Sequence, residues 1–315
     1  MARLRHLVAA MLVALLLSAC ASVPPAGGKR IALTFDDIPR SAGAFLETGE
    51  RAEMLRAALR DGRVEQAAFF INPGRLAERL EGLDHIAGYM ADGHVVANHT
   101  ATHPALSDVG AEQFLADIDA AEAWLSQLPG HRPWFRYPFL NEGRADRSKR
   151  DAVRAGLAQR GLRNGYVTVD ASDWFYEQRV LQAQAAGETI DMDALGELFV
   201  ESHVQAADFN DELARAAVGR APVQVMLLHE ADVTTLFLPD LIAALRADGW
   251  TIVTADEAFA DPFGDNAATY ETASAQGTLT EQVAWQRGLP APRWYARNDP
   301  AVAEAEFARR VLARD

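Results

Sequence analysis

The sequence holds a single cysteine, Cys20, among 315 residues. A fold stapled by disulfides is excluded, and if Cys20 is taken up in N-terminal processing no thiol remains for catalysis either. Cations are also in short supply: 30 Lys and Arg face 44 Asp and Glu, a net charge of −14, with no basic stripe. Nucleic acid is thereby excluded as a partner, because nothing in the chain would displace counterions from a phosphate backbone. The acidic balance serves solubility and is what a solvated surface needs. Past the first twenty residues no apolar run reaches the length of a bilayer span. Internal repeats and low-complexity tracts are missing too. What is present is a chain with 49% apolar residues, long enough to bury a substantial core as one large α/β domain or two smaller ones.

The N-terminus reads as a secretory signal. Arg3 and Arg5 supply positive charge, Leu7 to Leu17 is almost wholly apolar but too short to span comfortably, and small residues follow. The segment Leu17-Ser18-Ala19-Cys20 resembles the lipobox of bacterial lipoproteins, in which cleavage leaves the cysteine N-terminal and lipid-modified; an ordinary signal peptide with a chance cysteine is the alternative. The resemblance implies a signal over 1–19, lipidation at Cys20 and a tether over 20–29. Ala21 stands where an inner-membrane retention signal has aspartate. The expected location is therefore the bacterial cell envelope, anchored on the periplasmic face of the outer membrane.

Beyond the tether, short apolar runs alternate with amphipathic stretches. The runs are Arg30–Asp36, Ala67–Ile71, His94–Asn98, Trp134–Tyr137, Tyr166–Asp170, Val223–His229 and Trp250–Thr254. Between them lie helical patterns such as Ala111–Leu128, whose Phe114, Leu115, Ile118, Ala121 and Leu125 form a stripe after a cap-like Ser107-Asp108. Seven strand–helix alternations predict an α/β fold with a parallel sheet, as a barrel or doubly wound, and not a sandwich. A long helical insertion is expected over 175–220. An aromatic tail, 261–315, with Trp285, Trp294 and Tyr295 is expected to pack on the main domain.

Polar residues recur where these runs end, the face on which parallel α/β folds gather their chemistry. Asp36 and Asp37 end the first run, His99 and His103 follow the third, Arg136 ends the fourth, Asp170 and Asp173 end the fifth and His229 ends the sixth. An H-x-x-x-H pair on a helical turn brings two imidazoles to one ion, but the pair alone equally describes two capping or surface histidines. A neighbouring carboxylate tips that balance toward a hydrolytic metal site with open positions. Two adjacent acids are most simply a turn with one solvated. On a strand, however, alternation points them to opposite faces, so that one can bind metal while the other faces water.

Thr34-Phe35-Asp36-Asp37, His99-x-x-x-His103, Arg136-Tyr137-Pro138-Phe139, Asp170-x-x-Asp173-Trp174 and Leu227-Leu228-His229-Glu230 resemble, in order and spacing, the five motifs of the NodB-homology polysaccharide deacetylases, carbohydrate esterase family four. The resemblance covers roughly residues 30–260 and implies a deformed (β/α) barrel of about seven parallel strands. It implies that Asp37, His99 and His103 hold a divalent metal, zinc first and cobalt, nickel or manganese as alternatives. Asp36 is then the general base, with Arg136 holding it ionised and, with the ion, offsetting the repulsion between the two acids. A backbone N–H of the Arg136–Tyr137 segment and the ion stabilise the oxyanion, and His229 beside Asp173 is the general acid. Tyr137, Phe139 and Trp174 are the expected substrate contacts, while Phe175, Tyr176 and Trp134 are further aromatics for which core packing is equally expected.

The chain departs from the family in having Ile38 where most members have glycine and Glu230 where aspartate is frequent. The implied activity is removal of N-acetyl groups from an amino-sugar polysaccharide by a monomer. Peptidoglycan, poly-N-acetylglucosamine and chitin oligomers remain open as substrates. An esterase or amidase acting on a small acyl compound, a non-catalytic carbohydrate-binding protein, and a two-carboxylate glycosidase are the rivals; the last leaves the histidine pair unexplained.

Overall fold

The computed structural model describes residues 27–312. The signal segment, Cys20 and most of the tether lie outside these residues.

Seven strands form one parallel sheet: β1 (Arg30–Ile38), β2 (Ala68–Ile71), β3 (Val95–Asn98), β4 (His131–Phe135), β5 (Arg163–Asn164), β6 (Gln224–His229) and β7 (Thr251–Ile252). Their order is β5-β4-β3-β2-β1-β6, with β7 also on β1. Parallel strands covered on both faces read as continuous apolar runs, which is why stretches such as Ala68–Ile71 show no alternation. Along β1, Ile31, Leu33 and Phe35 enter one core cluster and Ala32 enters the other. The two clusters are the two sides of the curved sheet.

The fifth strand is displaced from its expected place. The pairing with β4 lies at Arg163–Asn164, and the apolar run 166–170 instead closes the ring toward β6 through a single bridge, Val169 to Met226. Between the two lies Gly165, against which the Phe70 ring packs so closely that a Cβ there would sit 2.6 Å from it. The result is a half-closed, deformed barrel.

The helices are α1 (Thr48–Asp61), α2 (Gly82–Ala91), α3 (Ala111–Leu125), α4 (Arg147–Gln159), α5 (Asp173–Ala185), α6 (Met192–Val218), α7 (Asp232–Ala247), α8 (Ala255–Phe259), α9 (Leu279–Gln286) and α10 (Pro300–Arg310). Helix α3 buries the expected Phe114, Ile118, Ala121 and Leu125, but Gly110 precedes it and the Ser107 hydroxyl bonds Asp108 instead of capping. The segment 175–220 is mostly α5 and α6, with α5 beginning on Asp173 itself. The tail adds Phe263, Tyr270, Leu279 and Val283 to one core cluster and Tyr295, Phe307 and Val311 to the other.

Candidate active site

The carboxyl ends of β1 and β6, with the loops after β3, β4 and β5, open into one cleft of about 830 Å3. Asp36 stays in register with His229 of β6. Asp37 does not continue the strand regularly: its φ is 74° and the pairing with β2 slips between Phe35 and Ile38. This corrects the expectation that the two acids point to opposite faces. A bulge re-aims a side chain, and Asp36 and Asp37 both line the cleft. Asp37 also has cations that sequence reasoning missed, Arg40 Nη1 at 2.8 Å from Oδ2 and Arg75 Nη2 at 3.2 Å from Oδ1. Arg40 is legible in hindsight as the residue after Asp-Asp-Ile-Pro; Arg75 carries no sequence signal.

His99 and His103 are brought together without a helix, a second correction. Asn98 Oδ1 accepts the Thr100 N–H at 2.8 Å, and Asn72 Nδ2 donates to the carbonyls of His99 and Thr100. Those carbonyls are thus engaged from outside, and Thr100 and His103 take φ of 64° and 63°. The rings meet edge to face with centroids 4.8 Å apart. Nδ1 of His99 bonds the Arg136 carbonyl at 2.8 Å, which fixes that nitrogen as the donor and leaves Nε2 with its lone pair toward Asp36, at 3.7 Å, and Asp37, at 4.0 Å. His103 Nε2 lies 3.1 Å from Asp37 Oδ1.

Arg136 is fully buried and every arm has a partner. Nη1 donates to Asp36 Oδ1 at 2.6 Å and to Thr34 Oγ1 at 2.8 Å, Nε donates to the Gly165 carbonyl at 2.6 Å, and the guanidinium lies 3.8 Å from the Phe70 ring centroid. Burial pushes the Asp36 carboxyl upward, and the charges of Arg136 and His229 oppose this. On the β6 side, Asp173 accepts four hydrogen bonds: from His229 Nδ1 and N, each at 2.7 Å, from the Thr234 hydroxyl and from the Trp174 N–H, each at 2.8 Å. Burial acts to lower the His229 imidazole, but the Asp173 charge and hydrogen bond outweigh it and raise the group to about 9. Thr234 is a further partner that no motif revealed.

Residues 24–160 match the family model described as polysaccharide deacetylase. The chain is 27% identical over 236 residues to a chitin deacetylase of Colletotrichum lindemuthianum, covering 73% of this chain and 79% of that one. It is 32% identical over 119 residues to a peptidoglycan-N-acetylglucosamine deacetylase of Bacillus cereus, 38% of each. Over these residues the chain is similar to the polysaccharide deacetylases. Two solved structures share the fold at 18% identity: a polysaccharide deacetylase from Bacillus cereus, TM-score 0.52 over 72% of this chain and 91% of that one, and a pseudoenzyme of carbohydrate esterase family four from Bacillus anthracis, TM-score 0.51 over 73% and 65%. The same polysaccharide deacetylase fold therefore carries both, and activity has to be argued from the site.

The residues present in the cleft fit a divalent ion. One ligand atom from each of Asp37, His99 and His103 lies within 4.8 Å of the others. Asp37 Oδ1 is buried and accepts no hydrogen bond among the described residues. Burial holds both imidazoles down to about 3, so each is neutral, as a ligand must be. Burial opposes the Asp37 charge, but His103, Arg40, His229 and Arg75 together hold that carboxyl far below the usual range.

At the rim the expected substrate contacts divide. Phe139, 58% exposed, and Trp174, 41% exposed, line the cleft. The Tyr137 side chain does not: it is buried against Phe114 and Phe135, while the neighbouring Arg136 turns the other way to Asp36. Phe175, Tyr176 and Trp134 are buried in the core. Glu230 is buried as well, accepting from the Tyr89 hydroxyl at 2.5 Å and the Arg40 N–H at 3.3 Å, and so steadies the loop that carries Arg40. Asp170 accepts the Ser172 N–H at 2.8 Å and turns the chain into α5.

Proposed function

We propose that the protein is a metal-dependent hydrolase that removes N-acetyl groups from an amino-sugar polysaccharide. The observation that carries this reading is the meeting of the Asp37–His99–His103 triad, a second carboxylate on Asp36 and the His229–Asp173 pair in one cleft. A divalent ion held by the triad, zinc first among the candidates, would supply Lewis acidity to the acyl carbonyl and acidify a water.

The protein's own groups account for the proton movements. Asp36 takes the proton of the attacking water as the new C–O bond forms. Arg136, bonded to Asp36 Oδ1, holds that carboxylate in place and leaves Oδ2 for the proton. The backbone N–H of Tyr137 is the donor for the developing oxyanion. An amine leaves poorly unless protonated, and His229, held as imidazolium by Asp173 and with Nδ1 occupied, delivers the proton from Nε2 as the C–N bond breaks.

The proposal includes an envelope location with the lipid carried on Cys20, and a protein that acts as a monomer. Cys20→Ser should abolish partitioning into detergent; unchanged partitioning argues against the anchor. The activity is tested by acetate release from N-acetylglucosamine oligomers with chelator and with added zinc. Chelator-sensitive release supports the reading. Turnover of aryl acetates with none of the oligomers would replace it with an esterase.

A further inference from the structure

The family match ends at residue 160 and the motifs at Glu230, yet the tail beyond 261 lines much of the cleft. Ser274, Gln276, Glu281, Trp285, Arg293 and Trp294 all face it. The tail treats its aromatic rings in two ways. Phe263, Tyr270, Tyr295 and Phe307 are buried, whereas Trp285 and Trp294 are left 45% and 46% exposed. Large rings kept half-exposed around a concave site mark a ligand surface.

Both indoles are carried on a rigid support. Trp285 sits near the end of α9, whose other side buries Leu279, Val283 and Ala284 and whose start is a reciprocal cap between Thr278 and Glu281. The Arg293 guanidinium lies 4.9 Å from the Trp285 ring centroid. Trp294 precedes Tyr295, whose hydroxyl donates to Gln205 of α6 at 2.9 Å. The strap ahead of α9 is tied to the barrel: the Glu142 N–H donates to the Ala275 carbonyl at 2.8 Å, Asn141 bridges Gln276, and the Leu279 N–H donates to the Val167 carbonyl at 2.7 Å. Ordering is therefore complete before a ligand arrives.

We propose that the tail forms a second wall of the cleft on which Trp285 and Trp294 stack pyranose rings beyond the ring being deacylated. The proposal rests on the deacetylase reading for its ligand class, a chain of N-acylated hexosamines. A pyranose offers a C–H face to an indole and hydroxyls to a polar surround, here Gln276, Arg293 and Asn298. The cleft, about 830 Å3, lies toward the top of the roughly 300–1,000 Å3 range of ligand pockets. It has room for more than one ring, and it is continuous with the triad.

The test uses Asp36→Asn as the parent, so that ligand binds without turnover, and measures calorimetric Kd for the dimer and hexamer of N-acetylglucosamine. W285A with W294A should weaken the hexamer about tenfold or more and leave the dimer within about twofold, while W285F with W294F, whose flat rings can still stack, should keep most of the hexamer affinity. Unchanged hexamer affinity in the alanine pair overturns the wall, as does equal loss for dimer and hexamer. Acetate release by the unmodified protein is read separately. Release with no effect of the indoles removes the wall and keeps the deacetylase; indole-dependent binding without release does the reverse.

Discussion

The floor and the rim of the cleft are built on different principles. On the floor, Asp36, Arg136 and Asp173 are buried, and each is held by charged or hydrogen-bonded partners from separate strands and helices. On the rim, Phe139, Trp174, Trp285 and Trp294 are half-exposed. Buried charges contribute little net stability but are strongly position-defining, because a displaced partner leaves an uncompensated ion. Exposed rings bind through area and tolerate small shifts. The contrast teaches where chemistry and selectivity are separable: on the function proposed above, proton transfer falls to the floor and choice of glycan to the rim.

Substitutions can break that division or sharpen it. The largest effect is expected at Asp36. Asp36→Asn should lower kcat by about 10²- to 10⁴-fold while metal analysis shows the ion retained, since the triad is intact; metal loss would mean that the roles of Asp36 and Asp37 are exchanged. His103→Ala should remove metal and activity together, and full metal affinity in that variant would refute the ligand set.

Next in size is the pH profile. The proposed acid, His229, works in its charged form, so on that assignment kcat/KM should fall as pH rises through about 9. Asp173→Asn takes away the charge that lifts the imidazole, and the alkaline limb should move to lower pH. With Asp36 as the proposed base, which must be ionised, the acid limb should lie above the ordinary carboxylate range, where burial pushes that group. On the rim, Trp174→Ala should raise KM for oligomers about three- to tenfold with kcat held. A fall in kcat alone would make this ring part of the floor. The smallest effect is expected at Tyr137→Phe. The Tyr137 hydroxyl is buried with no hydrogen-bond partner among the described residues, so its removal should leave kinetics unchanged and thermal stability equal or slightly higher.

The floor was legible because each of its residues follows or ends an apolar run, where a parallel strand delivers a side chain to the carboxyl face. What could not be read was the local backbone. The left-handed Asp37 has no periodic signature. The turn after Asn98 depends on Asn72, which arrives from the end of β2. The need for glycine at 165 comes from Phe70, another distant neighbour. Tyr137 was a different kind of miss: strand parity next to Arg136 already implied that one of the two must face the core. The rim was half legible: Phe139 and Trp174 stand in motifs, whereas Trp285 and Trp294 reach the cleft through tertiary packing of a tail whose buried and exposed aromatics look alike in one dimension.

Asp37 marks a site where function and endurance pull apart. A residue with a Cβ held at φ 74° sacrifices roughly 1–2 kcal/mol relative to a relaxed backbone, and glycine would relieve it. Yet the Asp37 carboxylate also answers the charges of Arg40 and Arg75, so Asp37→Gly would relax the backbone while leaving those guanidinium groups uncompensated, besides removing a proposed metal ligand. Stabilising campaigns on this scaffold should hold that position fixed and seek their gains in the helices and loops far from β1.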